Sequence, residues 1–330
     1  MKKKILTFSQ SINEAMIQAM AYDKSVFTYG IAVDKTGHVF KSTEGILKKF
    51  KSKRIFDTPN SEQAETAFAL GASLSGKLRP VLIHHRVDFM PYSFDQLINW
   101  ISLWSFKSAR KSFAPLVIRT IVGRGWGQGP QHAKTLHSMF SYLPGLKVVM
   151  PSSASEAKGM LLSSIMSDDP VIFIEYRSLY NTKELVPQKK YFIDIDKPRQ
   201  RLKGNSLTLV AAGASVLTSL KAAEILYKQR GLKCDLFDLR SISNMKLEAI
   251  FSSLKKTKRL VVVEDGWENL GYSSEIITKV AEQGLNLKKP PIRVCWPNSH
   301  VPMSTPLEKK FYFDENDILN ACLKVLNLRE

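Results

Sequence analysis

Cysteine is nearly missing from this chain. Three occur in 330 residues, Cys234, Cys295 and Cys322. The number is odd, no two stand close together and there is no CxxC pair, so neither a disulfide framework nor a zinc site is indicated. Long apolar runs are missing too: none reaches the roughly 20 residues needed to cross a bilayer. The start, Met1-Lys2-Lys3-Lys4-Ile5-Leu6-Thr7-Phe8, is basic, but polar Ser9, Gln10 and Ser11 follow too soon for the apolar region of a signal peptide. These absences predict a cytoplasmic, reducing setting. Acidic residues are scarce beside basic ones, 30 Asp and Glu against 48 Lys and Arg, and the formal net charge is +18. Such an excess invites a nucleic-acid partner and a non-catalytic binding role. The basic residues are scattered, however, in Lys48-Lys49, Lys53-Arg54, Lys189-Lys190, Lys255-Lys256 and Lys309-Lys310, without a basic arm or a nucleic-acid motif. They read as solvated faces of helices and loops, or as surface for an acidic partner protein.

What is present is a repeated alternation of strand and helix patterns. Hydrophobic residues make up 44% of the chain, enough for two domains with separate cores. In Ser11–Ala21, residues Ile12, Ala15, Met16, Ala19 and Met20 share one helical face. Val26–Val33, Val81–Ile83, Leu116–Val122, Leu146–Pro151 and Val171–Ile174 read as strands, and helices are predicted from about Ser61 to Leu74, Ser93 to Trp104 and Ser155 to Ser167. Residues 181 to 206 are polar and contain Pro187 and Pro198, which places a linker there. The expected division is a first domain over residues 1–190, a linker over 191–206 and a second domain over 207–330. In the second, strands are expected at Leu207–Ala211, Cys234–Leu239, Arg259–Val263 and Ile292–Trp296, with helices beginning near Ser215, Leu247, Ser273 and Asp314. The pattern predicts two α/β domains with largely parallel sheets.

Several blocks carry more than a fold class. Arg54-Ile55-Phe56-Asp57-Thr58-Pro59-Asn60-Ser61-Glu62 is followed by Asp95-Gln96-Leu97-Ile98-Asn99, then by Gln131-His132 and by Pro144-Gly145-Leu146-Lys147-Val148-Val149-Met150-Pro151. Asp238-Leu239-Arg240, Val263-Glu264-Asp265-Gly266-Trp267 and Val301-Pro302-Met303 complete the series. Taken in order, these blocks resemble the beta subunits of thiamine-diphosphate-dependent 2-oxo acid dehydrogenases of pyruvate and branched-chain type, across nearly the whole chain. The resemblance implies a pyrimidine-binding domain followed by a transketolase C-terminal domain. It also implies an alpha subunit that holds the diphosphate and its Mg2+, and an alpha2-beta2 heterotetramer. The implied reaction is oxidative decarboxylation of a 2-oxo acid with transfer of the acyl group to a lipoyl acyltransferase. The diphosphate half of such enzymes carries Gly-Asp-Gly and paired asparagines downstream. Here the only similar piece is Glu264-Asp265-Gly266-Trp267, with no Asn-Asn after it, and it reads as a strand-to-loop turn.

The resemblance also implies roles for particular residues. Glu62 matches the carboxylate that hydrogen-bonds the pyrimidine N1′ atom and promotes the reactive imino tautomer, although a carboxylate at a helix start can also simply favour the helix dipole. Phe89 matches an aromatic that stacks on the pyrimidine; a core position is the commoner fate of a Phe. His132, after a glycine-rich loop, matches a histidine that donates to the reacting carbonyl or the acyl–cofactor adduct. His137 reads as structural. His85 falls where a residue neighbours the cofactor. Leu116, Ser164, Ser167 and Asp169 match positions whose main-chain carbonyls hold a structural potassium ion (K+). The chain departs from the pattern at Ile31 and Ala32, where acidic residues usually follow the glycine matching Gly30, at Ala109-Arg110 in place of a glycine pair, and at Ala133 in place of serine. The departures leave room for an alternative, a split transketolase-like or acyl-transferring carboligase using the same cofactor.

Overall fold

The computed structural model describes residues 2–35, 37–125 and 127–328, and for His38 the backbone alone. The chain forms two compact units. One comprises the residues up to Gly123 together with Met139–Ile195; the other comprises Arg124–Ser138 and the residues from Asp196 on.

The first unit contains β1 (Lys3–Thr7), β2 (Val26–Gly30), β3 (Ile55–Asp57), β4 (Arg79–His84), β5 (Val117–Val122), β6 (Lys147–Val149), β7 (Val171–Tyr176) and β8 (Lys183–Pro187). Six of these form an all-parallel sheet in the order β3-β2-β4-β5-β7-β6. Strands β2, β5 and β7 are buried along their whole length, as a parallel sheet covered on both faces requires. Its helices include α1 (Phe8–Tyr22), α2 (Glu62–Leu74) and α3 (Ala154–Met166). Helix α1 starts three residues earlier than its apolar pattern predicts. Thr7 and Gln10 make a reciprocal capping box there, and the expected face of Ile12, Ala15, Met16, Ala19 and Met20 is buried. The sheet interior holds one ionic pair. Arg119 of β5 and Glu175 of β7 are fully buried and joined at 2.6 and 3.1 Å, with the Tyr180 hydroxyl donating to Glu175 at 2.7 Å. The stretch predicted as a helix from Ser93 is a string of short helical turns, and Ser102 N donates five residues back to Leu97 O at 3.1 Å. Gly145 lies flush on that wide turn; a Cβ there would stand 2.1 Å from Ser102 O.

The second unit contains β9 (Arg199–Leu202), β10 (Leu207–Ala211), β11 (Cys234–Asp238), β12 (Leu260–Trp267) and β13 (Ile292–Trp296), in the sheet order β13-β12-β10-β11-β9. Strand β9 runs antiparallel to β11 and the other pairings are parallel. This edge strand lies within the polar stretch read as linker. Its helices are α4 (Ser215–Arg230), α5 (Glu248–Thr257), α6 (Tyr272–Glu282), α7 (Thr305–Phe311) and α8 (Glu315–Leu326). Its core gathers Leu209, Leu226, Val261, Trp296 and Ile318, and Ala133 joins them although it lies outside the second domain expected from sequence. The α/β class and the two-domain architecture are as the alternation predicts. No described helix is long and apolar enough to cross a membrane.

Candidate active site

In the first unit, the turn after β3 leads through Thr58, Pro59 and Ser61 into α2, whose first residue is Glu62. Glu62 is half-buried. Its backbone carbonyl accepts from Ser93 Oγ at 2.9 Å, while no hydrogen bond or ion pair to its carboxylate is seen among the described residues. Directly behind it lies a buried polar chain. Thr66 Oγ1 donates to Ser93 Oγ at 2.9 Å and meets His84 Nε2 at 3.1 Å. Because Ser93 spends its only proton on Glu62 and Thr66 spends its own on Ser93, His84 must donate to Thr66 through Nε2. On the other ring edge, His84 Nδ1 lies 3.4 Å from Glu65 Oε2, and Thr58 Oγ1 donates to Glu65 Oε1 at 2.6 Å. The first turn of α2 is thereby locked to the end of β4 and to the 3-10 turn Val87–Ser93.

That turn carries Phe89, half-buried and stacked on Tyr92 with centroids 6.4 Å apart. His85 is half-buried just beyond β4, with its ring 6.1 Å from Phe40. Burial, helped by the positive charges of Arg86 and Arg119, holds its imidazole below the ordinary histidine range, against the opposing hydrogen bond to the Ile31 backbone. That shift favours the neutral ring, and among the described residues its buried Nε2 has no hydrogen-bond partner. A buried polar atom of that kind calls for a hydrogen-bonding partner; Glu62 follows β3 and His85 follows β4, with β2 between them in the sheet. One hydrogen-bond network ties the Glu62 backbone to Ser93, Thr66 and His84; Phe89 shares the 3-10 turn with Ser93, and His85 follows His84 in the chain. Sequence reasoning missed Glu65, Thr66, His84 and Ser93 as its members; only the juxtaposition of α2, β4 and the 3-10 turn reveals them.

The four positions matched to a potassium site gather where α3 ends and β5 and β7 begin. Leu116 O accepts from Val171 N at 3.0 Å and Ser164 O from Ser167 N at 3.2 Å. Arg79 Nη1 donates to Ser167 O at 2.7 Å and to Ile165 O at 3.3 Å, while its Nη2 meets Asp168 at 2.7 Å. A guanidinium thus already places positive charge on one of the carbonyls. The Asp169 side chain pairs with Lys147 at 3.2 Å. Among the described residues, no three His, Cys, Asp or Glu side chains converge as a metal site.

In the second unit, Arg124–Ser138 carries His132. Gly125, Gly127 and Gly129 have φ of +81°, +65° and +70°, a region that side-chain-bearing residues rarely enter. Glu308 of α7 accepts from Gly125 N at 2.8 Å and Gly127 N at 2.7 Å, one on each carboxylate oxygen. Arg124 pairs with Asp265 and stacks 4.4 Å above the Tyr312 ring. His132 is half-buried, and its N–H donates to Gly129 O at 3.3 Å. His137 is buried with Nε2 2.7 Å from Glu264 Oε1 and Nδ1 2.7 Å from Thr135 Oγ1. Burial acts to raise the Glu264 carboxyl, but the hydrogen bonds from His137 and Ser273 and the His137 charge outweigh it and hold the group below the usual range. Both acidic residues of Glu264-Asp265-Gly266-Trp267 are engaged by protein groups: Glu264 as above and by Tyr272 N, Asp265 by Arg124 and Trp296 Nε1.

Comparison with known proteins agrees with this architecture. Residues 4–183 match the transketolase pyrimidine binding domain and residues 196–318 the transketolase C-terminal domain. The chain is 35% identical to the acetoin:2,6-dichlorophenolindophenol oxidoreductase subunit beta of Bacillus subtilis over 98% of both chains. It is 36% identical to the pyruvate dehydrogenase E1 component subunit beta of Staphylococcus epidermidis, over 97% of this chain and 98% of that one. Among solved structures, a split-gene transketolase described as an inactive beta4 tetramer superimposes with a TM-score of 0.78 at 18% identity, covering 98% of this chain and 99% of that chain. Transketolase from Campylobacter jejuni gives 0.71 at 18% identity, with 98% of this chain covering 47% of it. The chain belongs to the family of beta subunits that includes those of the pyruvate dehydrogenase E1 component and the acetoin oxidoreductase, built from a transketolase pyrimidine binding domain and a transketolase C-terminal domain.

Proposed function

We propose that this chain is the beta subunit of a thiamine-diphosphate-dependent 2-oxo acid dehydrogenase, paired with an alpha subunit that holds the diphosphate and Mg2+. The observation that carries the reading is the Glu62 carboxylate, half-buried and unengaged at the start of α2, beside a turn that presents Phe89. When bound, the cofactor supplies the carbon nucleophile and the electron sink for decarboxylation. Glu62 would hold a proton at the pyrimidine N1′ atom, and Phe89 would offer a ring face to the pyrimidine. His85, neutral, would contribute a hydrogen bond without adding charge. His132 would donate to the carbonyl oxygen of the 2-oxo acid, where negative charge grows. The lipoyl acyltransferase as acyl acceptor belongs to the same proposal. So does a potassium ion on the carbonyls of Leu116, Ser164, Ser167 and Asp169. Its measurable consequence is a higher melting temperature in potassium than in sodium chloride at equal ionic strength, and equal melting in the two salts would remove it.

The B. subtilis relative, nearly as similar as the pyruvate dehydrogenase subunits, supports a second substrate reading, acetoin. The experiment reconstitutes the alpha–beta pair and offers pyruvate, branched-chain 2-oxo acids and acetoin separately, each with a lipoyl domain or an artificial electron acceptor. Acylation of the lipoyl domain from a 2-oxo acid is the expected result. Carbon–carbon ligation without lipoyl acylation would convert the assignment to a carboligase.

A further inference from the structure

We propose that Glu308 is a positioning residue for His132, acting through the glycine-rich loop of the second unit. The proposal rests on the reading that His132 touches the substrate. Gly125, Gly127 and Gly129 sit at positive φ and have no side chains to pack. Alternate N–H groups in such a stretch point the same way and form a cradle for an anion. Here a carboxylate from 181 to 183 residues downstream fills that cradle, one oxygen on Gly125 N at 2.8 Å and the other on Gly127 N at 2.7 Å. Glu308 is 2% exposed, so these two bonds stand in for the water it has lost. Its own position is fixed in turn. The Tyr312 hydroxyl lies 3.4 Å from Oε1, and Tyr312 is covered by Arg124, which is ion-paired to Asp265.

The contact is close enough to set the position of the backbone. A Cβ on Gly127 would stand 3.3 Å from Met303 O, and one on Gly129 would stand 3.1 Å from Met303 Cε, so the loop lies flush against the Val301-Pro302-Met303 segment. The N–H of His132 then closes on Gly129 O at 3.3 Å, and Ala133 enters the core of the second unit. His132 is thus held on one side by Ala133 and by His137 on Glu264, and on the other by Glu308. Removing the Glu308 carboxylate takes away both acceptors of the Gly125 and Gly127 N–H groups on that side. A displacement of about 1 Å in a group aimed at a reacting atom can cost about a hundredfold in rate.

The test uses the reconstituted alpha–beta assembly with Glu308→Ala, Glu308→Gln, His132→Ala and the double variant Glu308→Ala/His132→Ala. Amide hydrogen exchange at Gly125 and Gly127 should accelerate at least about tenfold in Glu308→Ala and less in Glu308→Gln, which keeps one acceptor oxygen. For decarboxylation, kcat should fall about 10- to 100-fold in Glu308→Ala, with KM for the 2-oxo acid and the affinity for cofactor changed by less than about twofold. The double variant should turn over no more slowly than His132→Ala alone, because a residue acting through His132 has nothing left to position. Unchanged exchange, or additive losses in the double variant, overturns the proposal. If Glu308→Ala does not assemble, Glu308→Gln carries the same comparison. Full turnover in His132→Ala overturns the catalytic reading of His132 and the positioning proposal with it, while the exchange rates still decide whether Glu308 holds the loop.

Discussion

Glu62 and Glu65 stand one helical turn apart on α2 and have opposite surroundings. Glu65 is 4% exposed, with Oε1 accepting from Thr58 and Oε2 3.4 Å from His84 Nδ1, whereas Glu62 is half-buried and its carboxylate has no partner among the described residues. Their amide substitutions should therefore separate rate from stability. Glu62→Gln keeps the size but cannot present the same carboxyl to N1′. A positioned acid–base group is worth about a hundred- to ten-thousandfold in rate, or about 3–5 kcal/mol of barrier. Acting only on the helix dipole, Glu62 would be worth about 0.3–1 kcal/mol, in stability and not in rate. Glu65→Gln should do the reverse, costing about 1–3 kcal/mol of stability by disturbing a buried network, with a smaller effect on kcat. Decarboxylation with an artificial electron acceptor, measured beside melting temperature, distinguishes the two; near-normal turnover in Glu62→Gln would overturn the central assignment. Glu62 was legible in the sequence because Asp57-Thr58-Pro59-Asn60-Ser61-Glu62 is a compact signature. Glu65 was not, because its partner His84 lies 19 positions away and reaches it only once β4 has docked beside α2.

Among the elements, the interior strands were the easiest to read. β5 and β7 are apolar runs interrupted by Arg119, Thr120 and Glu175, with Arg119 and Glu175 paired to each other. β1, β8 and β9 were missed for a common reason. They are short edge or two-stranded ribbons in which apolar Ile5 and Leu185 stand exposed among charged residues, and they pair with segments far away: Lys3 with Pro187, Arg199 with Asp238. Helix α7 escaped because its few apolar positions show no periodic face, and its buried residue of consequence is a glutamate. Glu264-Asp265-Gly266-Trp267, expected from sequence to be a strand-to-loop turn, lies instead within β12, where Glu264 ties the strand to α6 and to His137. Its titration gives a test at this scale. The Glu264 carboxyl is held below its ordinary value of 4.5 in the fold. A group with a depressed folded value contributes fully above the unfolded value, and that contribution is lost as pH falls through the folded one. Glu264→Gln should therefore lower stability at neutral pH and flatten the decline on acidification below about pH 4.5. Denaturant unfolding at a series of pH values checks this; parallel stability–pH curves for the two proteins would mean that Glu264 does not carry the acid sensitivity.

For the whole molecule, the informative feature is a division of labour that the chain does not complete by itself. The residues proposed to meet the cofactor's pyrimidine, Glu62, His85 and Phe89, all lie in the first unit. The acidic segment of β12 that resembles a diphosphate–metal motif is spoken for, Glu264 by His137 and Ser273 and Asp265 by Arg124 and Trp296. A thiamine diphosphate molecule offered to the isolated chain would meet ring contacts but no described Asp or Glu cluster for its metal. The alternative, that this chain alone houses the whole cofactor, makes a different thermal prediction. A ligand that binds only the native state adds RT ln(1 + [L]/Kd), which is about 2.7 kcal/mol at a hundredfold excess over Kd. In a domain of about 150–250 residues each kcal/mol is worth about 2–4 °C, so tight binding would raise melting by roughly 5–10 °C. With thiamine diphosphate and Mg2+ at about 1 mM, the isolated chain should shift by less than about 1 °C, as expected when the ligand barely exceeds Kd. The reconstituted alpha–beta assembly under the same conditions should shift by several degrees, and only when Mg2+ is present. A magnesium-dependent shift of that size in the isolated chain would place the diphosphate site on this subunit and dissolve the need for an alpha partner in cofactor binding.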